Sequence, residues 1–448
     1  MNNHKQGDDS MSGDALEVDN QYCPSTVDEP RVEVFDGREL SKKVLRMLHI
    51  GRPWTLDEVR LTEYPIPKDF RDANVRGEIE FRLDVEHGRM YGCPVCGHMC
   101  KVHAYETRFH RDVKLLGYTV MIRSKVPKLR CEHCNGYPQL EVPWARSRVS
   151  YTIELEKEVM RNLSDRSISA TAEALGIGHW MVADIVCHRV EEAKERLDLS
   201  DVTQIYVDET SFRKGHDYVT VVCDQRKHIL FMCEGKDSST MDRFAEWLVR
   251  HNGDPERIGT VSCDMGLAYP AGCRRNFPNA RIVFDKFHVI KMIGDAFDRV
   301  RKRLLRDSDY ADSFRFLCYK HERNLTDRQR EMKRFMDNTF VELSEEYRIK
   351  EVASQLYSLT TKGAAAMHLL MLRGHVKCRS EEMRSVVESL WRKRREILAW
   401  FDRHVNNGFA EAMNSLIQTT KRVARGFRNR TNFINMCFYK NGHLEVTF

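Results

Sequence analysis

The chain has 448 residues and a formal net charge of +6, and 42% of its residues are apolar and 31% charged. This length predicts several domains, roughly three, and the composition excludes disordered and fibrous proteins. No apolar run approaches the ~20 residues of a membrane span, and the amino terminus lacks the apolar segment of a secretory signal. The 14 cysteines are therefore expected to be reduced thiols or metal ligands in a cytoplasmic protein.

The amino-terminal part divides into two predicted segments. Residues 1–38 are polar and acidic, which favours a disordered leader. Residues 39–86 are predicted to form an α/β segment, because apolar residues recur at helical spacing from Glu39 to Ile50 and alternate from Ile79 to Val85. Neither segment contains a candidate functional residue.

Two C-x-x-C pairs predict a zinc-ribbon module over residues 87–142. Each pair forms a tight turn that points two thiolates at one centre, and two such turns complete a tetrahedral zinc site. The interval between the pairs is long for this motif, but a β-hairpin can span it, and Gly97 and Gly136 suit the turns. The alternative is a chance pairing of core cysteines, and a zinc site here would be structural without identifying a reaction. The predicted ligands are Cys93, Cys96, Cys131 and Cys134, with Cys100, His98, His103 and His133 as possible substitutes.

Residues 143–200 are predicted to form a helix-turn-helix domain. Apolar spacing indicates three helices, and Gly176-Ile-Gly178 makes a turn between the second and the third. The third helix would enter the major groove of DNA, with Trp180 and Arg189 as candidate contacts. Any small helical bundle without DNA-binding function is the alternative.

Residues 201–300 contain strands and helices in the order of a ribonuclease-H-like fold. Three strand-like runs come first, and a helix, a strand, a second helix and a last strand follow. In this fold the first and fourth strands are neighbours, so Asp208 and Asp264 are expected to converge. The predicted strands are Thr203–Asp208, Tyr218–Asp224, His228–Cys233, Thr260–Cys263 and Ala280–Phe284, and the predicted helices lie at 239–250 and 271–276.

Paired aspartates on such strands indicate a metal site, because a buried acid without a cation is costly. Each aspartate taken alone is as often a turn former or helix cap. Glu411, in the closing segment 406–448, begins a polar helix stripe, and Asp285 and His288 are secondary candidates that could also cap or pack. The stripe continues through Asn414, Ser415, Gln418 and Arg422, which could face DNA, whereas Met413, Leu416 and Ile417 are expected to face the core.

The interval 301–405 is predicted to be an α-helical insertion into the catalytic fold. Locally basic runs occur at 301–306, 391–395 and 421–430. A single basic run is usually a solvated helix face, but three runs, two of them close in sequence to candidate acids, favour phosphate contacts. The candidate DNA-binding residues of the last run are Lys421, Arg422, Arg425 and Arg428.

From about residue 40 onward, the chain resembles the ISL-three family of bacterial insertion-sequence transposases. The shared marks are the double C-x-x-C module, the helix-turn-helix, Val207-Asp208-Glu209, Asp264-Met-Gly-Leu-Ala-Tyr-Pro, Phe277-Pro-Asn-Ala280, Phe284-Asp-Lys-Phe-His288 and Glu411…Asn414…Lys421-Arg422…Gly426-Phe-Arg428. The resemblance implies that Asp208, Asp264 and Glu411 form a DDE triad. Two Mg²⁺ or Mn²⁺ ions would support DNA cleavage and strand transfer, alongside one structural Zn²⁺.

The predicted protein is therefore a multidomain α/β transposase, with a ribonuclease-H-like sheet and helical insertion preceded by a zinc ribbon and a helix-turn-helix. The expected partners are terminal inverted repeats, target DNA and at least a second copy of the chain in the synaptic complex, with no membrane. The expected location is the bacterial cytoplasm in association with the nucleoid. The alternatives are a non-catalytic repressor on an inactive scaffold and a structure-selective nuclease without strand transfer.

Overall fold

A computed structural model of the chain describes residues 31–448 except 37–44, 47, 49, 65–75, 214–216, 311, 377–378 and 404–407. For residues 31, 34–36, 403 and 408–411 only the backbone is described. The chain splits into two compact units, Met1–Glu158 and Val159–Phe448. Most of the predicted leader and of the predicted helix at 39–50 lies outside the described residues.

The first unit is built on one six-stranded sheet. Its strands are β1 (Arg31–Asp36), β2 (Trp54–Glu63), β3 (Gly77–Val85), β4 (Tyr91–Gly92), β5 (Met99–Leu115) and β6 (Tyr118–Arg130). The order across the sheet is β1-β2-β3-β6-β5-β4. Only the β3–β6 pair is parallel among these neighbours, and the others are antiparallel.

Two predicted boundaries in this unit are wrong. Residues 31–36 were expected in the disordered leader but form β1, which pairs antiparallel with β2. The expected division at residue 86 does not separate two modules, because β3 pairs directly with β6 in one sheet. The hairpin of β5 and β6 spans the long interval between the cysteine pairs, as predicted.

The core of this first unit contains aromatic rings and three cysteines, Cys93, Cys100 and Cys131. Trp54 and Trp144 meet edge to face with ring centroids 4.7 Å apart. Leu129 is fully buried beside them, and Cys93 and Cys131 belong to the same buried cluster. Because one thiol of each C-x-x-C pair is packed in this core, the core of the unit holds both pairs in place.

Three helices were predicted before the second sheet, and all three are present. They are α1 (Ile153–Leu163), α2 (Ile168–Leu175) and α3 (His179–Glu195). Ser167 caps α2 by accepting from the Ala170 N–H, and Gly176, at a φ of 63°, ends it in the left-handed conformation that glycine tolerates. The role of these helices in DNA binding remains a prediction.

The second unit contains a five-stranded mixed sheet in the order β11-β10-β7-β8-β9. Strands β7, β8 and β9 are antiparallel, whereas β10 is parallel to both β7 and β11. The predicted strands and helices therefore occur in the predicted order. The strands are β7 (Gln204–Ser211), β8 (Tyr218–Asp224), β9 (Ile229–Glu234), β10 (Thr260–Cys263) and β11 (Arg281–Phe284), and the helices among and after them are α4 (Ser239–Arg250), α5 (Ala268–Asn276) and α6 (Lys286–Leu304).

The described residues of the interval 301–405 are largely helical, as predicted, but they do not form a separate module. The predicted boundary at residue 300 falls inside α6, whose Phe297 packs in one continuous hydrophobic core with Phe244 of α4 and Tyr347 of α8. Because these helices share a core with the sheet, the loops between the helices are held at fixed positions beside the sheet. The helices of this interval are α7 (Asp327–Thr339), α8 (Val341–Ser354), α9 (Lys362–His375), α10 (Glu381–Arg392), α11 (Arg394–Leu398) and α12 (Trp400–Arg403).

Two further helices close the unit. Helix α13 (Gly408–Val423) lies against β7, and α14 (Arg430–Asn441) lies against α3 and β9. No helix in the described part of the chain is both long and apolar enough to span a membrane.

Candidate functional site

Strand register brings three aspartates to one edge of the second sheet. The parallel pairing of β10 with β7, continued two residues beyond Ser262, puts Asp264 opposite Asp208. On the other side of β10, the Asp285 N–H donates to the Cys263 carbonyl at 3.0 Å, so Asp285 follows beside Asp264. Since neighbouring strands lie about 4.8 Å apart, the backbone alone gathers acidic residues that are distant in sequence.

Asp208 is largely enclosed, with its side chain 16% exposed. Its Oδ1 accepts from the Glu209 N–H at 2.8 Å, and its Oδ2 accepts from the side-chain amide of Asn414. Burial, with a smaller contribution from the nearby Asp285, raises the pKa of Asp208 to about 6, although the Glu209 N–H, His288 and Asn414 act in the opposite direction. The negative charge of this carboxylate is thus incompletely compensated, and a bound cation would compensate it.

His288 lies between two of the aspartates. Its Nε2 is 3.9 Å from Asp208 Oδ1 and 3.8 Å from Asp285 Oδ2. Asp285, which is 5% exposed, caps α6 by accepting from the Phe287 N–H at 2.9 Å. Of the two roles considered for Asp285 in the sequence, helix capping is therefore present, and one of its oxygens also faces the histidine.

Asp264 is more accessible and is bordered by a lysine. The Gly266 N–H donates to Asp264 Oδ1 at 3.1 Å in the turn that follows β10. Lys393, from the loop between α10 and α11, donates to the Met265 carbonyl. Burial lowers the pKa of Lys393, and the charge of Asp264 opposes this shift, so the ammonium lies within electrostatic reach of the carboxylate. The sequence showed Lys393 only as one member of a basic run.

Helix α13 presents its polar stripe to the first strand of the sheet. Asn414 contacts Asp208, Gln418 Nε2 donates to Thr210 Oγ1 at 3.2 Å, and Lys421 donates to the Ser211 carbonyl. The side chain of Glu411 lies outside what the structure describes, but its position precedes Asn414 by three residues on this helix.

Two predictions for the remaining positions of α13 agree with the structure only in part. The stripe was expected to face DNA, yet Asn414 and Gln418 are bonded to β7. Leu416 was expected in the core with Met413 and Ile417, which are buried, but it is 43% exposed. The helix is therefore oriented so that Asn414 and Gln418 of the polar stripe contact β7, whereas Ser415 and Arg422 of the same stripe remain exposed.

The aspartates do not form a closed ligand cage with their present side-chain positions. Among the described side chains, only two groups bring three or more possible ligand atoms within 4.8 Å of one another. Both groups contain cysteine, and neither contains an aspartate. The chemistry of the donor set still fits Mg²⁺ or Mn²⁺, because adjacent carboxylate oxygens are the ligands that these hard cations prefer.

The four predicted cysteines meet at one point. Cys93, Cys96, Cys131 and Cys134 have all their sulfur atoms within 4.8 Å of one another. The Cys96–Cys131 and Cys93–Cys134 Sγ–Sγ distances are 3.5 and 4.0 Å. A tetrahedron with Zn–S bonds of about 2.3 Å requires sulfur atoms about 3.8 Å apart, so the arrangement fits a zinc ion without rearrangement.

Backbone geometry at the cysteine pairs supports this fit. Gly97 has a φ of 76°, as a tight turn requires, whereas in the second pair's turn the positive φ of 51° belongs to Asn135 rather than to the predicted Gly136. The Cys134 N–H points at the Cys131 sulfur and is the main cause that lowers the pKa of this thiol to about 6. A thiol that ionises easily is a ready metal ligand. His98 and His133, possible substitutes, stack at 4.0 Å and form a second group of ligand atoms with Cys96.

The predicted DNA-contacting residues differ in accessibility. Trp180, in the first turn of α3, is 64% exposed. Arg422, Arg425 and Arg428 are exposed in and after the last turn of α13. The ammonium of Lys421, by contrast, is bonded to β7 and is only partly available to a ligand.

Two arginines predicted to contact DNA or phosphate are instead structural. Arg189 is 4% exposed, bonds Glu192 and the Thr447 carbonyl at 3.0 and 3.1 Å, and stacks on the Phe448 ring. Arg301, in the first basic run, is 1% exposed and bonds Asp298. Sequence alone does not separate such buried arginines from accessible ones.

Comparison with known proteins identifies the family of this chain. A family model for ISL-three transposases of the DDE type, described as "Transposase", matches residues 205–437, slightly more than half of the 448 residues. The chain belongs to the ISL-three family of transposases. The matched range starts in β7 and ends in α14, so it contains Asp208, Asp264, Asp285 and the helix that carries Glu411.

Two bacterial transposases illustrate the similarity. The transposase for insertion sequence element IS1001 of Bordetella parapertussis is 32% identical over 213 residues, which are 47% of this chain and 52% of that protein. The transposase for insertion sequence element IS1557 of Mycobacterium tuberculosis is 24% identical over 342 residues, which are 69% of this chain and 76% of that protein. The first alignment therefore spans about half of the relative's length.

Proposed function

We propose that this chain is a DNA transposase in which Asp208, Asp264 and Glu411 hold two divalent metal ions at the edge of a ribonuclease-H-like sheet. The observation that carries the proposal is the parallel pairing of β7 with β10, whose last paired residues, Tyr206 and Ser262, each precede a candidate acid, Asp208 or Asp264, by two residues. The strand order β9-β8-β7-β10-β11, with three antiparallel strands followed by two parallel ones, supports the fold assignment.

The surroundings of each residue indicate its role in the proposed site. Two Mg²⁺ or Mn²⁺ ions bound by such carboxylates would supply an activated oxygen nucleophile and neutralise the charge of the leaving oxygen. Asp208, with its uncompensated buried charge, and the more open Asp264 are the natural ligands. Glu411 joins them in the proposal because its helix lies along β7 and Asn414, one turn later, touches Asp208.

Other parts of the chain would bind the DNA. We assign recognition of the terminal inverted repeat to α3, where the exposed Trp180 is available at the first turn. Arg422, Arg425 and Arg428 would contact phosphates near the cleaved bond. The zinc-bound cysteine module would assist as a structural support, and joining two element ends would require at least two copies of the chain. Arg189 has no DNA contact in this proposal because it is buried.

The test is metal-dependent cleavage of DNA that carries the inverted repeats found beside the gene. Asp208→Asn, Asp264→Asn and Glu411→Gln should each reduce cleavage by at least about a hundredfold, because each removes several kcal/mol of transition-state stabilisation. DNA binding should persist, since the variants leave α3 unchanged. Asp309→Asn and Glu331→Gln, which alter exposed carboxyl groups of the same unit, are the matched controls and should cleave normally.

The products separate the competing functions. Cleavage followed by joining of the new 3′ end to target DNA supports the transposase. Cleavage without joined products would indicate a structure-selective nuclease. Binding of the repeats by a wild-type protein that cleaves with neither Mg²⁺ nor Mn²⁺ would favour the repressor and contradict the proposal.

A further inference from the structure

We propose that Asn414 is a positioning residue that orients the Asp208 carboxylate for metal binding. This inference rests on the proposed function, since it assumes that Asp208 is a metal ligand. It adds a second helix residue to the site and assigns it a role that acts through Asp208.

The contacts around Asp208 use one donor for each oxygen. The Glu209 N–H bonds Oδ1 from within β7, and the Asn414 amide bonds Oδ2 from α13. One donor would leave the carboxylate free to rotate about its Cβ–Cγ bond. Two donors from different elements fix its plane, while each oxygen keeps lone-pair capacity for a cation.

Asn414 differs from the other residues that dock α13. Gln418 bonds the Thr210 hydroxyl and Lys421 bonds the Ser211 carbonyl, so both attach the helix to β7 without touching a candidate metal ligand. Only the Asn414 contact of these three ends on a carboxylate of the site. Loss of Gln418 therefore perturbs helix docking alone, whereas loss of Asn414 perturbs docking and Asp208 together.

The neutrality of the asparagine amide matters as much as its geometry. A lysine or arginine at this position would neutralise Asp208 and compete with a divalent cation. An amide fixes the carboxylate and leaves its full negative charge available. Residues that orient metal ligands in this way typically change metal affinity or activity by about 10–100-fold when they are removed.

The packing around Asn414 determines which variants are informative. A cavity of about 10 Å³ adjoins Asp208, Asn414 and Met413. Truncation to alanine would enlarge this cavity and mix a packing defect with the loss of the donor. Asn414→Leu keeps most of the side-chain volume without a donor and is the primary variant. Asn414→Ser shortens the side chain, but its polar hydroxyl leaves no apolar group beside the carboxylate, so it serves as the second variant.

The experiment is a Mn²⁺ titration of the full-length chain, in which the electron paramagnetic resonance signal of free Mn²⁺ reports binding. Asn414→Leu and Asn414→Ser should weaken the Asp208-dependent Mn²⁺ binding by about 10–100-fold, whereas Gln418→Leu should stay within about threefold of wild type. Asp208→Asn should abolish the same binding. In cleavage assays, excess Mn²⁺ should restore the maximal rate of the Asn414 variants, because the ligands themselves are intact.

Each outcome decides the proposal. Mn²⁺ affinity near that of wild type in a folded Asn414 variant would overturn the inference and leave the proposed function standing. An equal loss in Gln418→Leu would reduce Asn414 to a helix-docking residue. A wild-type chain without Mn²⁺ binding that depends on Asp208 would remove the proposed function, and the inference with it. Circular dichroism identifies unfolded variants, and the serine variant then replaces the leucine one.

Discussion

Replacement of Asp208 by asparagine should stabilise the protein at neutral pH when no Mg²⁺ or Mn²⁺ is added. Burial, together with Asp285, raises the pKa of Asp208 from 3.8 to about 6, so ionisation of this group in the folded state is unfavourable. A raised carboxyl pKa contributes stability that is complete below about pH 4 and is lost as the pH rises through about 6. Asparagine does not ionise, so the Asp208→Asn variant does not lose this contribution to stability as the pH rises.

The size of the effect follows from the shift. A displacement of about two pKa units, at 1.36 kcal/mol per unit, corresponds to about 3 kcal/mol between the acidic and the neutral ends of the range. This is an upper value, since asparagine changes the hydrogen bonding. The Asn414 amide can rotate to present its oxygen to a new asparagine N–H, so the bond across the site need not be lost.

Urea unfolding of the full-length chain between pH 4.5 and 8 measures the difference. Asp208→Asn should gain stability relative to wild type as the pH rises, and Asp309→Asn, at an exposed site, should show no such gain. Added Mn²⁺ should then stabilise wild type and not Asp208→Asn, because ligand binding to the folded state adds to stability. A difference between Asp208→Asn and wild type that is constant across the pH range would refute the reasoning.

Three other predictions follow from the same coordinates. Elemental analysis should find one Zn²⁺ per chain in the wild type; Cys131→Ser should lose it and lower the thermal midpoint, whereas Cys187→Ser, outside the cysteine site, should retain it. Arg189→Ala should destabilise the folded chain by about 1–3 kcal/mol through loss of buried charged hydrogen bonds, and a normal melting temperature would contradict its structural role. Trp180→Ala should weaken binding to inverted-repeat DNA by about 1–3 kcal/mol with no change in stability, and unchanged affinity in a mobility-shift assay would remove Trp180 from the interface.

Much of the second unit could be predicted because its signals are local. Short apolar runs predicted the strands from Thr203 to Phe284, and the glycines at 176 and 178 predicted the turn between two helices. The cysteine site was equally accessible, because each C-x-x-C turn is a short-range structure and the hairpin between the pairs was visible in the sequence.

The remaining features depend on long-range packing. Nothing near Asn414 in the sequence indicates that it bonds Asp208, 206 residues away, or that the loop of Lys393 lies beside Asp264. Arg189 follows the pattern of a DNA-reading helix, but the chain's last residues cover it. The predicted boundary between residues 1–38 and 39–86 is wrong because residues 31–36 form a strand by pairing with β2. Local composition does not reveal this long-range pairing.

Anomalous diffraction at the manganese absorption edge, from crystals of the full-length chain soaked in Mn²⁺, tests the proposed catalytic centre most directly. The account predicts anomalous peaks within about 2.0–2.6 Å of carboxylate oxygens of Asp208 and Asp264, with Glu411 completing the ligand set. Manganese bound only elsewhere, with no anomalous peak beside Asp208, would contradict it.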